Sequence, residues 1–278
     1  GFKTLISPYL LLSALYYVYW LIFIPHPERQ EQFYHLLFRP FLGVIYGTVF
    51  TTDYSELINI PLWFLPGLFC AKIIHQTALK IGGRRTVNYI FCTIFVSLLG
   101  YALKYVQTPN VFSLHSALLL MPFFALGNIC RKNELIRPLN KDKINLTLSL
   151  LMGLTGFALL AVLGPFNGAA NISFCYFGEN ILMFYLIGMV GIVSTVFITF
   201  LYTRDLRIMT ILAGGSVLIL GFHSPLIGVC YRIAFLLHIE MNVVLTLLAS
   251  VLNIVLLIVP IILAQKYFPA LIGGRKMK

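Results

Sequence analysis

Residues 181–202 read ILMFYLIGMVGIVSTVFITFLY without one charged side chain, and residues 203–207 then read TRDLR. A helix needs roughly 20 apolar residues to cross a bilayer core. The run is long enough to cross, and Arg204 and Arg207 mark the side on which it ends. The same pattern recurs along the chain. Apolar runs fall at about residues 4–24, 57–75, 88–106, 114–130, 145–163, 181–202, 208–229 and 240–265. Between the first two lies 29–52, where Arg29, Glu31, His35 and Arg39 precede an apolar tail to Phe50. That stretch reads as an interfacial or re-entrant helix rather than a span.

Composition points the same way. Of 278 residues, 59% are hydrophobic and 10% charged, against about 25% charged in a soluble domain. Mean hydropathy is +0.91. These values exclude a soluble globular domain, a disordered chain and a disulfide-stapled module. The expected fold is all-α: one integral-membrane domain over 1–278, a polytopic transmembrane helical bundle of about eight spans, with no room for a sizeable soluble domain.

Loop charge sets the orientation. With Lys3 inside and the spans alternating, the inner side holds Lys3, Lys72, Lys80, Arg84, Arg85, Arg131, Lys132, Arg137, Lys141, Lys143, Arg204, Arg207, Lys266, Arg275, Lys276 and Lys278. The outer side holds only Arg29, Arg39, Lys104 and Arg232. Basic residues collect in cytoplasmic loops, so both termini are expected inside. The net charge of +11 thus belongs to topology, with the lipid bilayer as partner and no nucleic acid expected. Cys70, Cys92, Cys130, Cys175 and Cys230 form no CxxC pair, and neither a metal site nor a disulfide framework is expected.

Polar groups within apolar runs are the candidates for chemistry. Gly214, Gly215, Gly221 and Pro225 interrupt the seventh run, which also carries His223. It is either a cavity-lining broken span or a kinked packing helix. Pro61 and Pro66 bracket Trp63-Phe64, and Pro122 and Gly127 sit in the fourth run. His75 and His115 read as interfacial residues whose polar ends reach water. Pro109-Asn110 signals a turn between Lys104 and His115, which places those two on different helices. Asp53, Glu56 and Glu179 either orient and deprotonate an acceptor hydroxyl or complement helix starts. Arg84-Arg85 after Gly82-Gly83, and Arg131-Lys132 at the end of the fourth run, suit phosphate groups, or serve topology and lipid headgroups. No hydrolase elbow, metalloprotease, P-loop or dinucleotide fingerprint occurs in a fitting context.

Several segments, taken in order, resemble the family-three membrane acyltransferases, in particular the fucose 4-O-acetylase-like branch. They are Phe2 to Leu10 with Lys3 and Pro8-Tyr9, the stretch Pro61-Leu62-Trp63-Phe64-Leu65-Pro66-Gly67-Leu68-Phe69, and Ala117 to Gly127 with Pro122-Phe123-Phe124. Tyr176-Phe177-Gly178-Glu179-Asn180, Gly215 to His223, and Lys266-Tyr267-Phe268-Pro269 complete the set. The resemblance implies an integral inner-membrane O-acyltransferase of bacteria. It would move acetyl from cytoplasmic acetyl-CoA, a substrate rather than a bound cofactor, to a hydroxyl of an envelope carbohydrate. Arg84, Arg85, Arg131 and Lys132 would then hold the donor's phosphates, and Trp63, Phe64, Glu179 and His223 would shape the cavity and acceptor side. The family's catalytic histidine sits in an earlier helix, behind a basic residue at fixed spacing. The match here begins at a later helix, so this chain is expected to lack that motif and to be inactive by itself. A membrane transporter or flippase, or a non-catalytic membrane partner, is the alternative.

Overall fold

Inside lipid a backbone must close its own hydrogen bonds, and a helix does this within one segment. The computed structural model describes residues 1–23, 33–47, 60–83, 85–105, 110–133, 146–201 and 206–274, and among these every regular element is a helix. A π-helical start, Phe2–Ile6, runs into α1, Ser7–Phe23. There follow α2 (Phe33–Tyr46), α3 (Phe64–Gly82), α4 (Thr86–Tyr105), α5 (Leu114–Leu119) and α6 (Met121–Lys132). The last five are α7 (Leu146–Asn167), α8 (Ile181–Thr199), α9 (Arg207–Gly214), α10 (Ser216–Leu236) and α11 (Val243–Tyr267). The described residues contain no strand, only an isolated bridge between Asn171 and Tyr176.

Among the described residues six helical stretches are long and apolar enough to cross a membrane: Pro61–Gly82, Thr86–Leu103, Leu146–Asn167, Ile181–Thr199, Ser216–Leu236 and Val243–Tyr267. A seventh exists if Val111–Leu119 and Met121–Lys132, bent by 60°, count as one. Their outward faces carry large apolar side chains: Leu182 is 75% exposed and Val243 77%. In water each such side chain would forgo about 1.5–3 kcal/mol of burial; in hydrocarbon it forgoes nothing. This is the make-up of an integral membrane protein.

Two compact units can be described separately. The first comprises Gly1–Phe69, Val111–Ser113 and Leu206–Lys278. Tyr9, Leu12, Leu62, Leu65, Leu218, Leu257 and Ile261 form its core. The Tyr9 hydroxyl, buried with the ring, donates to the Val44 carbonyl at 2.6 Å and ties α1 to α2. The stretch read as an interfacial or re-entrant segment contains α2, with Pro40 inside it.

The second unit comprises Cys70–Asn110 and Leu114–Asp205. Its α7 and α8 pack as a close hairpin. Gly156 faces Ser194 so tightly that a Cβ there would lie 1.8 Å from the Ser194 Oγ. Small residues let membrane helices approach in this way.

The described helices differ from the apolar runs in three places. The second run, expected to end at His75, continues to Gly82, so His75 lies well inside a helix. The seventh run is interrupted at Gly214-Gly215, as expected, where the short α9 gives way to α10, but Gly221 and Pro225 do not interrupt α10. The fourth run, read as a single span, bends at Leu120. Pro122 has no N–H to give to the Leu118 carbonyl; that oxygen accepts from Ser97 Oγ instead, at 3.3 Å. Phe123 N–H turns to the Leu120 carbonyl, and the freed Leu119 carbonyl accepts from the Tyr185 hydroxyl at 2.5 Å. At the other break, Gln265 Nε2 donates to the Ile211 carbonyl at 3.3 Å. Lys104 and His115 fall, as the turn signal implied, on α4 and α5.

Gly156→Leu should overpack the α7–α8 contact and lower stability by about 1–3 kcal/mol or more. Gly164→Leu, where nothing lies within 4 Å, should be close to neutral. Thermal unfolding of the two variants in one detergent makes the comparison, and equal midpoints would refute the packing assignment.

Candidate functional site

The second unit carries a basic cleft built by three helix ends. Gly83 closes α3 in the left-handed region (φ +62°), its N–H donating to the Leu79 carbonyl at 3.1 Å. Glycine takes that conformation without a Cβ penalty. The chain then turns straight into α4 at Thr86. Gly82 permits the turn to be tight: a Cβ on it would sit 2.8 Å from the Tyr89 backbone. The last turn of α6 lies alongside, where Lys132 Nζ donates to Thr86 Oγ1 at 2.8 Å.

Leu79, Gly83, Arg85, Thr86, Tyr89, Asn128, Arg131 and Lys132 line the resulting cleft of about 540 Å³. Arg85, Arg131 and Lys132 are all exposed, and no carboxylate is among the described lining residues. The start of α4 adds backbone N–H groups that have no partner within the helix, and with them the positive end of its dipole. Arg131 and Lys132 in turn complement the negative end of α6. The surface therefore offers several cationic donors to one anion, in a recess large enough for a phosphorylated small molecule.

Below the cleft lies an ordered polar pair. Tyr89 is buried, and its hydroxyl is 2.9 Å from His75 Nδ1. The two rings meet edge to face at 5.7 Å, and Phe124 of α6 packs at a tilt against His75, also at 5.7 Å. His75 sits one helical turn below Leu79, and Phe124 one turn below Asn128. Read from sequence as an interfacial residue, His75 is instead half-buried with its ring nitrogen engaged.

Of the four residues expected to hold phosphates, Arg85, Arg131 and Lys132 converge on this one cleft. Arg84 lies outside the described residues, as do Asp53, Glu56, Arg29, Arg137, Lys141, Lys143, Arg204, Arg275, Lys276 and Lys278. The cavity-shaping candidates do not converge. Trp63 packs half-buried on the core of the first unit, and Phe64, edge-on to it, is 41% exposed. His223 turns its Nδ1 back onto its own helix, toward the carbonyls of Ile219 and Leu220 at 3.0 and 2.9 Å. A carbonyl only accepts, so Nδ1 carries the hydrogen. The apolar groove between α1 and α10 is lined by its neighbours Phe222 and Pro225 and not by His223. Glu179 is exposed and its N–H donates to the Asn167 carbonyl at 2.8 Å. The cap of α8 is Asn180, which accepts from Leu182 and Met183 N–H.

Sequence reasoning missed a buried polar cluster around residues 168–180. Asn167 Nδ2 donates to the Phe177 carbonyl at 2.8 Å, and Asn167 Oδ1 accepts from Asn180 N–H at 2.9 Å. Ser116 Oγ donates to the Ile172 carbonyl at 2.8 Å and lies 3.4 Å from Cys175 Sγ. His115, expected at the water interface, is buried here, its backbone N–H donating to Asn110 Oδ1 at 2.8 Å. The four small polar residues carried no periodic signal because each serves one turn only. Among the described residues no His, Cys, Asp or Glu group could hold a metal ion.

No protein-family model matches the chain, and no curated protein or solved structure matches it.

Asn167→Leu orphans the Phe177 carbonyl and the Asn180 N–H, at about 1–3 kcal/mol for each buried group left unpaired. Asn167→Asp keeps the acceptor and should lose about half as much. Thermal unfolding that ranks Asp no better than Leu would contradict the assigned roles of the two amide atoms.

Proposed function

We propose that the chain is an acyltransferase-like integral membrane protein of the bacterial cytoplasmic membrane, which handles acetyl-CoA on its inner face and serves O-acetylation of an envelope carbohydrate. The observation that supports it best is the cleft: Arg85, Arg131 and Lys132, singled out from sequence as donor-phosphate candidates, line a single recess whose described residues include no carboxylate. Coenzyme A presents a pyrophosphate and a ribose phosphate, and guanidinium groups pair with such oxygens bidentately. The six apolar helices, the bent pair and the helical run Phe2–Phe23 together fit eight crossings with both termini inside. In that arrangement the cleft opens to the cytoplasm, where acetyl-CoA is found. The group that deprotonates the acceptor hydroxyl is not assigned.

A carrier is the second reading, and a specific observation favours it. Each unit holds one interrupted helix, at Leu120 and at Gly215, and paired interrupted helices are a feature of transporters. Uptake of candidate sugars into proteoliposomes, faster than in empty vesicles, would favour that reading.

Acetyl-CoA binding separates the two. Arg85→Ala and Arg131→Ala should each weaken it by about tenfold, the scale of a lost charge-assisted contact, and raising salt should weaken it further. Titration of the purified protein in detergent checks this. Unchanged affinity in both variants, or no binding by the unaltered chain, would contradict the donor-site reading.

A further inference from the structure

We infer that His75 is a positioning residue that couples proton uptake to anion binding in the basic cleft, acting through the hydroxyl of Tyr89. The inference rests on the reading of the cleft as an anion site, whatever phosphorylated ligand it takes.

The argument is one of hydrogen-bond direction. We assign the neutral ring the tautomer with its hydrogen on Nε2; Nδ1 is then bare and accepts from the Tyr89 hydroxyl across the 2.9 Å contact. The phenolic hydrogen is then committed downward, away from the cleft. A protonated imidazole reverses the bond: Nδ1–H donates and the phenolic oxygen accepts. The hydroxyl hydrogen is thereby released and, being a rotor, can turn toward the cleft that Tyr89 lines. One proton on His75 thus gives a bound anion an extra donor and places a fourth positive charge beneath Arg85, Arg131 and Lys132. The pair is held for this exchange. Phe124 and Tyr89 both pack against the His75 ring, and Thr93 Oγ1 donates to the Tyr89 carbonyl at 2.8 Å.

Of the groups described around the pair, His75 is the one whose charge a proton can change as the medium is made acid. From α4 it faces Tyr89, with Cys92 packed in the same cluster. From α6 it faces Phe124, with Arg131 and Lys132 at the rim above. On its own helix the charged residues are Lys72 and Lys80, both exposed. Arginine and lysine keep their charge through the range in which histidine ordinarily titrates, about pH 6 to 7. Linkage then requires reciprocity: if the anion favours the protonated pair, acid favours the anion.

The test uses the full chain in detergent and dephospho-coenzyme A, whose pyrophosphate diester does not titrate near neutrality. Calorimetry in two buffers of different ionisation enthalpy, between about pH 8 and about pH 6, reads both affinity and protons exchanged. Affinity should rise by about tenfold on acidification, with up to one proton taken up per ligand. His75→Gln cannot charge, and Tyr89→Phe has no hydroxyl to release. Each should lose the rise in affinity on acidification, read within each variant as the ratio of its affinities at the two pH values, and so show a flat pH profile. Thermal unfolding confirms that both variants are folded, and the Tyr89→Phe arm stands alone if His75→Gln is not. Binding with no pH response in the unaltered chain, or a full response in Tyr89→Phe, overturns the inference and leaves the cleft reading intact. No binding at any pH overturns both.

Discussion

Every backbone carbonyl at membrane depth needs a donor, and most of the local architecture follows from how this chain finds one where a helix breaks. Among the described residues two such breaks occur, and in both a side chain on another helix repairs the damage. At Leu120 the missing proline N–H and the displaced Phe123 N–H expose two carbonyls, which Ser97 and Tyr185 cover. At Gly215 the Ile211 carbonyl is reinforced by Gln265. Unsatisfied, such groups cost several kcal/mol each in hydrocarbon. The repairs also cross-link helices. Ser97 and Tyr185 tie α4 and α8 to the bend between α5 and α6, and Gln265 ties α11 to α9. A kink that would otherwise loosen a bundle becomes a fixed point of it.

The bend has a consequence for the cleft. The second limb of the interrupted helix, α6, carries Phe124, Asn128, Arg131 and Lys132 along one side, at spacings of three and four residues. That side packs on α4, whose first turns supply Arg85, Thr86 and Tyr89. A straight helix through Leu120 would present a different face to α4. The Gly82-Gly83 turn brings the end of α3 close enough to complete the recess. Exposed basic residues then face one another across a short gap, and an anion is the partner that such an arrangement selects.

Much of this was legible in the residues. Hydropathy located the long helices because a bilayer demands an apolar run of set length, and α7, α8 and α11 begin within about three residues of the expected positions. Arg84-Arg85 and Arg131-Lys132 were read as phosphate candidates or topology signals on one expected side, and Arg85, Arg131 and Lys132 line one cleft. Breaks and boundaries were harder to read. Gly221 and Pro225 looked like interruptions, yet α10 runs through them, since proline in a membrane helix can be accommodated by its neighbours. Pro122 sat in a run read as one span, yet a 60° bend falls beside it; the donors that stabilise the bend lie far away in sequence. His75 and His115 fell at the ends of apolar runs and so resembled interface residues. Their burial depends on Tyr89 and on the segment around Cys175, which no local pattern could place beside them. His223, the most conspicuous polar residue of the seventh run, turned out to bond its own helix.

The central claim is that the basic cleft opens on the cytoplasmic side of a membrane the chain crosses repeatedly. The most direct measurement is the accessibility of Lys132→Cys in a background with the five native cysteines replaced by serine. A membrane-impermeant maleimide should label it in inside-out vesicles and leave it unlabelled in sealed right-side-out vesicles. Labelling from the outer side would place the cleft away from cytoplasmic acetyl-CoA and contradict the account.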